Sequence, residues 1–320
     1  MKNLFVSIVF IFSFLVFFAC NDKPKNLKWQ DTPTTGVIPI ACDQCFEPII
    51  NEEIVVFESI YNQSGIMADY QSEVESIRLL MADSVRLAVV TRKLSEEENA
   101  FLVAKNRIVK SIKIAQDGVA VIVHKDNPDS IISVHTLKKI LTGEITKWSQ
   151  INPKSNLGDI TVMFDNPNSS TIRFALDSIC RGELLSEGLF AQKNNQEVLD
   201  RVASIEGSLG IIGVNWVSDD RDTTNMTFME KIKVMAVSKF PEADYYNSYK
   251  PYQAYIALGD YPMVRDVYVL LNDPRGGLST GFATFLASDR GQRIILKSGL
   301  FPATQPVNLV QIKNESIRKR

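Results

Sequence analysis

Two short polar segments, Asn168-Ser169-Ser170-Thr171 and Ala41-Cys42-Asp43-Gln44-Cys45-Phe46, each separate an apolar run from a helical pattern. An anion held without a metal needs backbone N–H groups at a helix start, a few hydroxyls and an arginine. Ser169, Ser170 and Thr171 precede the helical stretch 172–179, so hydroxyls and free N–H groups gather at a positive helix end, with Arg173 just inside it. Ordinary N-capping by Ser169 or Ser170 is the plainer reading of the same residues. In the other segment Asp43 and Gln44 offer backbone N–H groups at a helix start, while Asp43 acting as an N-cap would point its carboxylate away from an anion.

Cys42 and Cys45 have the spacing of a thiol oxidoreductase or of half a zinc site. The only histidines, His124 and His135, are not at ligand spacing from one another, and a thioredoxin-like fold would place the pair in a much smaller domain. A local disulfide or buried thiols is the reading carried forward; a redox enzyme would require a reversible Cys42–Cys45 bond. The chain has no GxSxG, HExxH or GxxxxGK[ST] motif, so binding without reaction or cofactor is expected rather than catalysis.

The elements that position these residues follow from hydrophobic period and punctuation. Apolar runs at 37–41, 67–70 and 86–91 alternate with helical patterns reaching about Tyr61 and spanning 74–81, the rhythm of an α/β sheet. Ser95 to Glu98 reads as a capping box opening a helix that ends near Asn106, its charges forming a solvated face. From Asp117 to Ile151 the chain reads as strand, turn, helix and stop: Gly118 to Val123 is a doubly buried strand, Ser133 an N-cap, Leu137, Ile140 and Leu141 the apolar stripe, Gly143 the C-terminal glycine and Trp148 an anchor. The glycines of GSLGIIG, 207–213, and the Asp117-Gly118 pair read as backbone devices without chemistry. A single helix is expected over 282–297.

A chain of 320 residues with 45% hydrophobic and 22% charged side chains can bury the cores of two lobes. A formal charge of −2 leaves no basic excess for nucleic acid. Lys2 precedes an apolar run from Leu4 to Ala19 that is short for a membrane span and reads as a secretory leader, residues 1–19. Phe-Phe-Ala-Cys20 resembles a lipobox, which implies lipidation at Cys20, and the polar stretch 20–35 reads as a tether. Cys42, Cys45 and Cys180 then remain, an odd count that forbids complete pairing.

The wording of four segments adds a resemblance. DGVAVIVHKDNP running into LKKILTGEITKWSQI, then ITVMFDNPNSSTIRFALDSI, VASIEGSLGIIGVNWV and FATFLASDRGQRIILKSGLFP, in that order, resemble the phosphate-binding proteins of bacterial ABC transporters. The resemblance implies an α/β, two-lobed periplasmic-binding-protein type 2 fold with two crossover hinge strands and a ligand cleft between the lobes. It implies lobe one from 36–115 plus 240–305, lobe two from 116–239, and a C-terminal tail at 306–320. It further implies a monomer in the cell envelope, facing the periplasm, that captures phosphate or a related small oxyanion for a permease in the inner membrane. A scaffold or sensor lipoprotein of the same fold, binding another ligand or an envelope protein, is the alternative.

On that pattern Asn168 to Thr171 occupy the family's Ser-Gly-Thr loop, with Ser170 in place of glycine. Asp165 stands where the family carries arginine, and Arg92 where some members carry an aspartate. The exchange suggests either an Arg92 and Asp165 pair that recognises the anion or a salt bridge between them that latches the lobes. Hydrogen phosphate can donate to a carboxylate and sulfate cannot. Sulfate about 4 Å from an ionised Asp165 would meet a repulsion on the order of 4 kcal/mol at an effective dielectric near 20.

Overall fold

The computed structural model describes residues 31–218 and 227–304; the expected leader, Cys20, most of the tether and the tail lie outside the described residues. The first elements alternate as expected: β1 (Thr35–Asp43), α1 (Glu47–Ile60), β2 (Gln63–Gln71), α2 (Glu73–Met81), β3 (Leu87–Val90) and α3 (Glu96–Ala104). Strands β1 and β2 pair in parallel from Thr35↔Gln63 to Asp43↔Gln71. Helix α3 opens with the capping box between Ser95 and Glu98, and of its residues only Leu102 is buried, so its acidic first turn is solvated.

The long strand β4 (Lys110–His124) follows, and it organises the molecule. After it come β5 (Ile131–Ser133), α4 (Val134–Leu141), β6 (Thr161–Phe164), α5 (Ser170–Phe174), β7 (Phe190–Ala191), α6 (Asn195–Ser204), β8 (Ser208–Gly213), β9 (Ile232–Val234), β10 (Ala236–Ser238) and β11 (Ser248–Tyr249). The chain closes with α7 (Gln253–Leu258), β12 (Val264–Leu271), α8 (Leu278–Ala287), α9 (Asp289–Lys297) and β13 (Phe301–Pro302). The main sheet runs β2-β1-β3-β12-β4-β8-β6-β7, with β9 and β13 also on β4, while β11-β10-β5 form a small second sheet.

Strand β4 changes partner part-way along. Residues Lys110 to Gly118 pair antiparallel with β12, and Val119 to Val123 pair antiparallel with β8. The same strand therefore belongs to both halves of the sheet, and β12 begins opposite Gly118, where the second crossing returns. A Cβ on Gly118 would stand 3.0 Å from Ile256 and Pro251 side chains, so the absence of a side chain permits the close approach. Strand β11 pairs with β10, and β10 with β5, so Ser248 and Tyr249 lie with the middle segment, beyond the change of lobe expected at 239–240.

Helix α4 follows its sequence signals closely. Ser133 accepts the Thr136 N–H, Leu137, Ile140 and Leu141 are buried, and Gly143 takes φ 84° just past the helix. Trp148 is fully buried, its indole N–H donating to the Gly207 carbonyl at 3.0 Å. The single helix expected over 282–297 is instead two: Ser288 adopts extended backbone, ends α8 and caps α9. Gly291 makes that corner possible, since a Cβ there would lie 2.4 Å from the Phe285 carbonyl oxygen. Segment 172–179 likewise changes character, as α5 gives way to a π-helical turn over Ala175–Ile179.

Candidate functional site

The loop after β1 is short because Asp43 caps the turn that follows it, accepting the Cys45 N–H on Oδ1 at 3.0 Å. Asp43 is fully buried, and its Oδ2 has no hydrogen-bond partner. Burial, then the Glu73 charge, pushes its pKa up to about 6 against the pull of Arg265. Gln44 is half-buried. The Cys45 carbonyl accepts from Asn215 Nδ2 and Trp216 Nε1, both at 2.8 Å, which ties this loop to the turn after β8. Cys42, Cys45 and Cys180 are buried free thiols.

The loop after β6 faces it. Ser169 accepts the Ile172 N–H at 3.2 Å and donates to Asp165 Oδ1 at 2.5 Å, so the cap of α5 also orients the aspartate. Asp165 Oδ2 accepts from Asn195 Nδ2 at 3.4 Å and from the Cys45 thiol at 3.5 Å. Burial raises the Asp165 pKa, opposed by the Ser169 hydrogen bond and by Arg265. Cys45 Sγ and Thr171 Oγ1 share a hydrogen bond at 3.3 Å, and Thr171 and Ser170 are fully buried.

A residue that sequence reasoning passed over supplies the cation. Arg265, near the start of β12, donates through Nη1 to Ser170 Oγ and through Nε to Asp117 Oδ2, each at 2.8 Å. Its Nη2 is also 2.8 Å from Asp117 Oδ2, yet makes no properly directed hydrogen bond. Burial opposes the Arg265 charge, but Asp117 and Asp43 outweigh it and carry the pKa above the usual arginine value. Asp117 is thus a buried ion-pair partner, not only a backbone device. The available signal was the period of two along β12, which sets Arg265 in phase with the buried Val267 and Val269.

Arg92 is placed elsewhere. Its guanidinium is bidentate to Glu98, at 2.7 and 2.8 Å, because the α3 capping box holds that carboxylate beside the loop after β3. The expected Arg92 and Asp165 pair does not form. The geometry brings together Asp43, Asp165, Ser169, Ser170 and Thr171, adds Cys45, Asp117, Asn195 and Arg265, and leaves Arg92 outside.

The PBP superfamily domain matches residues 30–290. The chain belongs to the PBP superfamily. Among PBP relatives, the phosphate-binding protein PstS of Borreliella burgdorferi is 24% identical over 298 residues, covering 89% of this chain and 96% of the relative. The PstS of Staphylococcus saprophyticus is 24% identical over 209 residues, which is 64% of this chain and 60% of that protein. Among solved PBP structures, a phosphate ABC transporter substrate-binding protein of Clostridium perfringens with bound phosphate superimposes with a TM-score of 0.71 at 20% identity, covering 84% of this chain and 100% of that one. An ABC-type phosphate transport receptor of Vibrio cholerae gives 0.63 at 19% identity, covering 84% and 100%.

In PBP terms the molecule is a two-lobed type 2 fold with crossover strands and an interlobe cleft, and one further contact crosses that cleft. Arg173, in α5, donates through Nε to Glu73 Oε2 at 2.5 Å and through Nη2 to Thr91 Oγ1 at 2.7 Å. Glu73 opens α2 and Thr91 follows β3, so this ion pair stands where the sequence suggested an Arg92 latch. Glu73 was not singled out from the sequence: it reads there as an ordinary first-turn helix glutamate.

Proposed function

We propose that the protein is a non-catalytic solute-binding protein that captures phosphate or a closely related oxyanion and presents it to an ABC permease. The observation that carries this reading is a complementary pair of unpartnered atoms in one buried site. Arg265 Nη2 is a donor without a directed acceptor, and Asp43 Oδ2 is an acceptor without a donor. A protonated oxyanion satisfies both, accepting from the guanidinium and from the Ser170 and Thr171 hydroxyls while its own O–H donates to a carboxylate. The names of the PBP relatives support the same ligand.

Within this reading, residues up to Gly118 together with 264–304 form lobe one, and 119–263 form lobe two, following the partner change in β4. Asp43, Asp165, Ser169, Ser170, Thr171, Arg173 and Arg265 contact the anion, and Gln44 lines the approach. The leader and Cys20 put the body on a membrane surface, tethered through lipid and facing the periplasm, as a monomer. No helix among the described residues is long and apolar enough to cross a membrane.

The test is calorimetric titration of the body from residue 21, unfolded and refolded to strip carried-over ligand, with phosphate and with sulfate. Tight phosphate binding with weak sulfate binding is expected, and Asp43→Asn, which replaces the vacant acceptor, should narrow the difference. Absence of heat with both anions would overturn the proposal. The scaffold reading has one observation in its favour: Arg173 and Arg265 are each already engaged by a carboxylate of the chain itself. Recovery of an envelope protein by a body that binds neither anion would move the assignment there.

A further inference from the structure

The surroundings of Glu73 are those of a bound anion rather than of a surface carboxylate. Its Oε1 accepts the Thr91 backbone N–H at 2.8 Å and the Thr91 hydroxyl at 2.7 Å, and its Oε2 accepts Arg173 Nε at 2.5 Å. Arg173 Nη2 lies a further 3.4 Å from Oε1. One backbone amide, one hydroxyl and one guanidinium thus converge on a single carboxylate that is only 1% exposed. Burial would raise the pKa of Glu73, but the hydrogen bonds and charge of Arg173, with those of Thr91, hold it below the ordinary value, so the carboxylate is ionised.

These donors come from both sides of the cleft. Thr91 follows β3 in the first part of the chain, and Arg173 sits in α5, in the segment that β4 and β8 connect to the other half of the sheet. Glu73 is also close enough to Asp43 for its charge to be felt there, which places it beside the proposed site and not at a remote surface. An ordinary helix-opening glutamate meets its own helix N-terminus and solvent; this one is withdrawn from water and coordinated across the lobes.

We propose that Glu73 is an internal ligand: its carboxylate fills an oxyanion cradle shared by the two lobes and competes with a soluble oxyanion for Arg173 and Thr91. This rests on the solute-binding reading for the identity of the soluble competitor, but the lobe-closing role of Glu73 does not. The cradle takes a carboxylate or a tetrahedral oxyanion by the same chemistry, charge-assisted hydrogen bonds from a guanidinium and a hydroxyl. Glu73 has the advantage of tethering, since it is delivered at high effective concentration by α2.

The experiment compares wild type, Glu73→Ala and Glu73→Gln by small-angle scattering in phosphate-free buffer, then with phosphate, sulfate or acetate added. Circular dichroism identifies the variants that fold, and Glu73→Gln keeps the side-chain shape if the alanine variant does not. The wild type should be compact in all buffers. Each folded variant should show a larger radius of gyration and return to the compact value with added anion, and phosphate should bind it at least about tenfold more tightly than it binds wild type. Expansion that acetate reverses and phosphate does not would keep Glu73 as the internal ligand and remove phosphate as the solute. No expansion on replacing Glu73, or phosphate binding that weakens in both variants, would overturn the proposal.

Discussion

At the scale of single residues, the chain buries several carboxylates, and their environments differ. Glu73 has four donor contacts and stays charged, whereas Glu53, on the inner face of α1, has two oxygens without a partner. Burial, with a smaller push from Glu52, raises the Glu53 pKa to about 9. The folded protein therefore holds a proton there that the unfolded chain has lost above its ordinary value of 4.5. A raised folded pKa contributes stability that is present at low pH and lost as pH climbs toward that pKa. Asp43, Asp117 and Asp165 are shifted upward as well, and of these Asp43, at about 6, is already mostly ionised across the window from pH 7 to 9. Between pH 7 and pH 9 the urea-unfolding free energy of wild type should fall by about 2 kcal/mol more than that of Glu53→Gln. Parallel curves for the two proteins would assign the slope to another group.

At the scale of elements, local signals were legible where a few neighbouring residues decide the outcome. The Ser95 capping box, the Ser133 and Ser169 caps and the Gly143 stop each depend on three or four residues in sequence, and the structure has all of them. The break at Ser288 was missed although the run from Ser288 to Arg293 is polar and Ser288 followed by Asp289 is itself a helix-start signal; the backbone approach at Gly291 requires the corner. Arg265 and Glu73 were not legible for a different reason, since their partners Asp117, Ser170, Thr91 and Arg173 lie at least 18 residues away in sequence. The glycines of 207–213 read as backbone devices, and Gly207 illustrates why. A Cβ there would lie 2.7 Å from the Asp159 carbonyl oxygen and 3.1 Å from that of Leu157, both backbone atoms that cannot rotate away. Gly207→Ala should therefore cost about 1–3 kcal/mol, read as a lowered melting temperature with unchanged secondary structure by circular dichroism. An unchanged melting temperature would show that the Leu157 to Asp159 backbone yields freely.

At the scale of the whole molecule, the Asp117–Arg265 pair sits where β4 and β12 cross between the halves, and Arg265 also reaches Ser170 in the site. One guanidinium thereby links the hinge to the candidate ligand loop. Removing one partner leaves the other as a buried, uncompensated charge, which typically costs about 3–5 kcal/mol. Arg265→Gln should lose stability of that order by chemical denaturation and also lose anion binding. If Asp117→Asn is equally destabilised yet binds as wild type does, the guanidinium contacts the ligand independently of its hinge role.

The sheet order has a consequence for how the chain is made. Strand β12 is near the end of the sequence but lies between β3 and β4, inside the first half of the sheet. The segment from Val119 to Met263 has its strand partners in hand once it has emerged, since on β4 the strands β12 and β13 pair only with residues up to Gly118. The first half does not, because β3 and the beginning of β4 present bare edges until the last sixty or so residues arrive. During synthesis the early-made half must therefore wait for the late-made strand, and that interval is when this chain is most exposed to edge-to-edge association and to proteolysis.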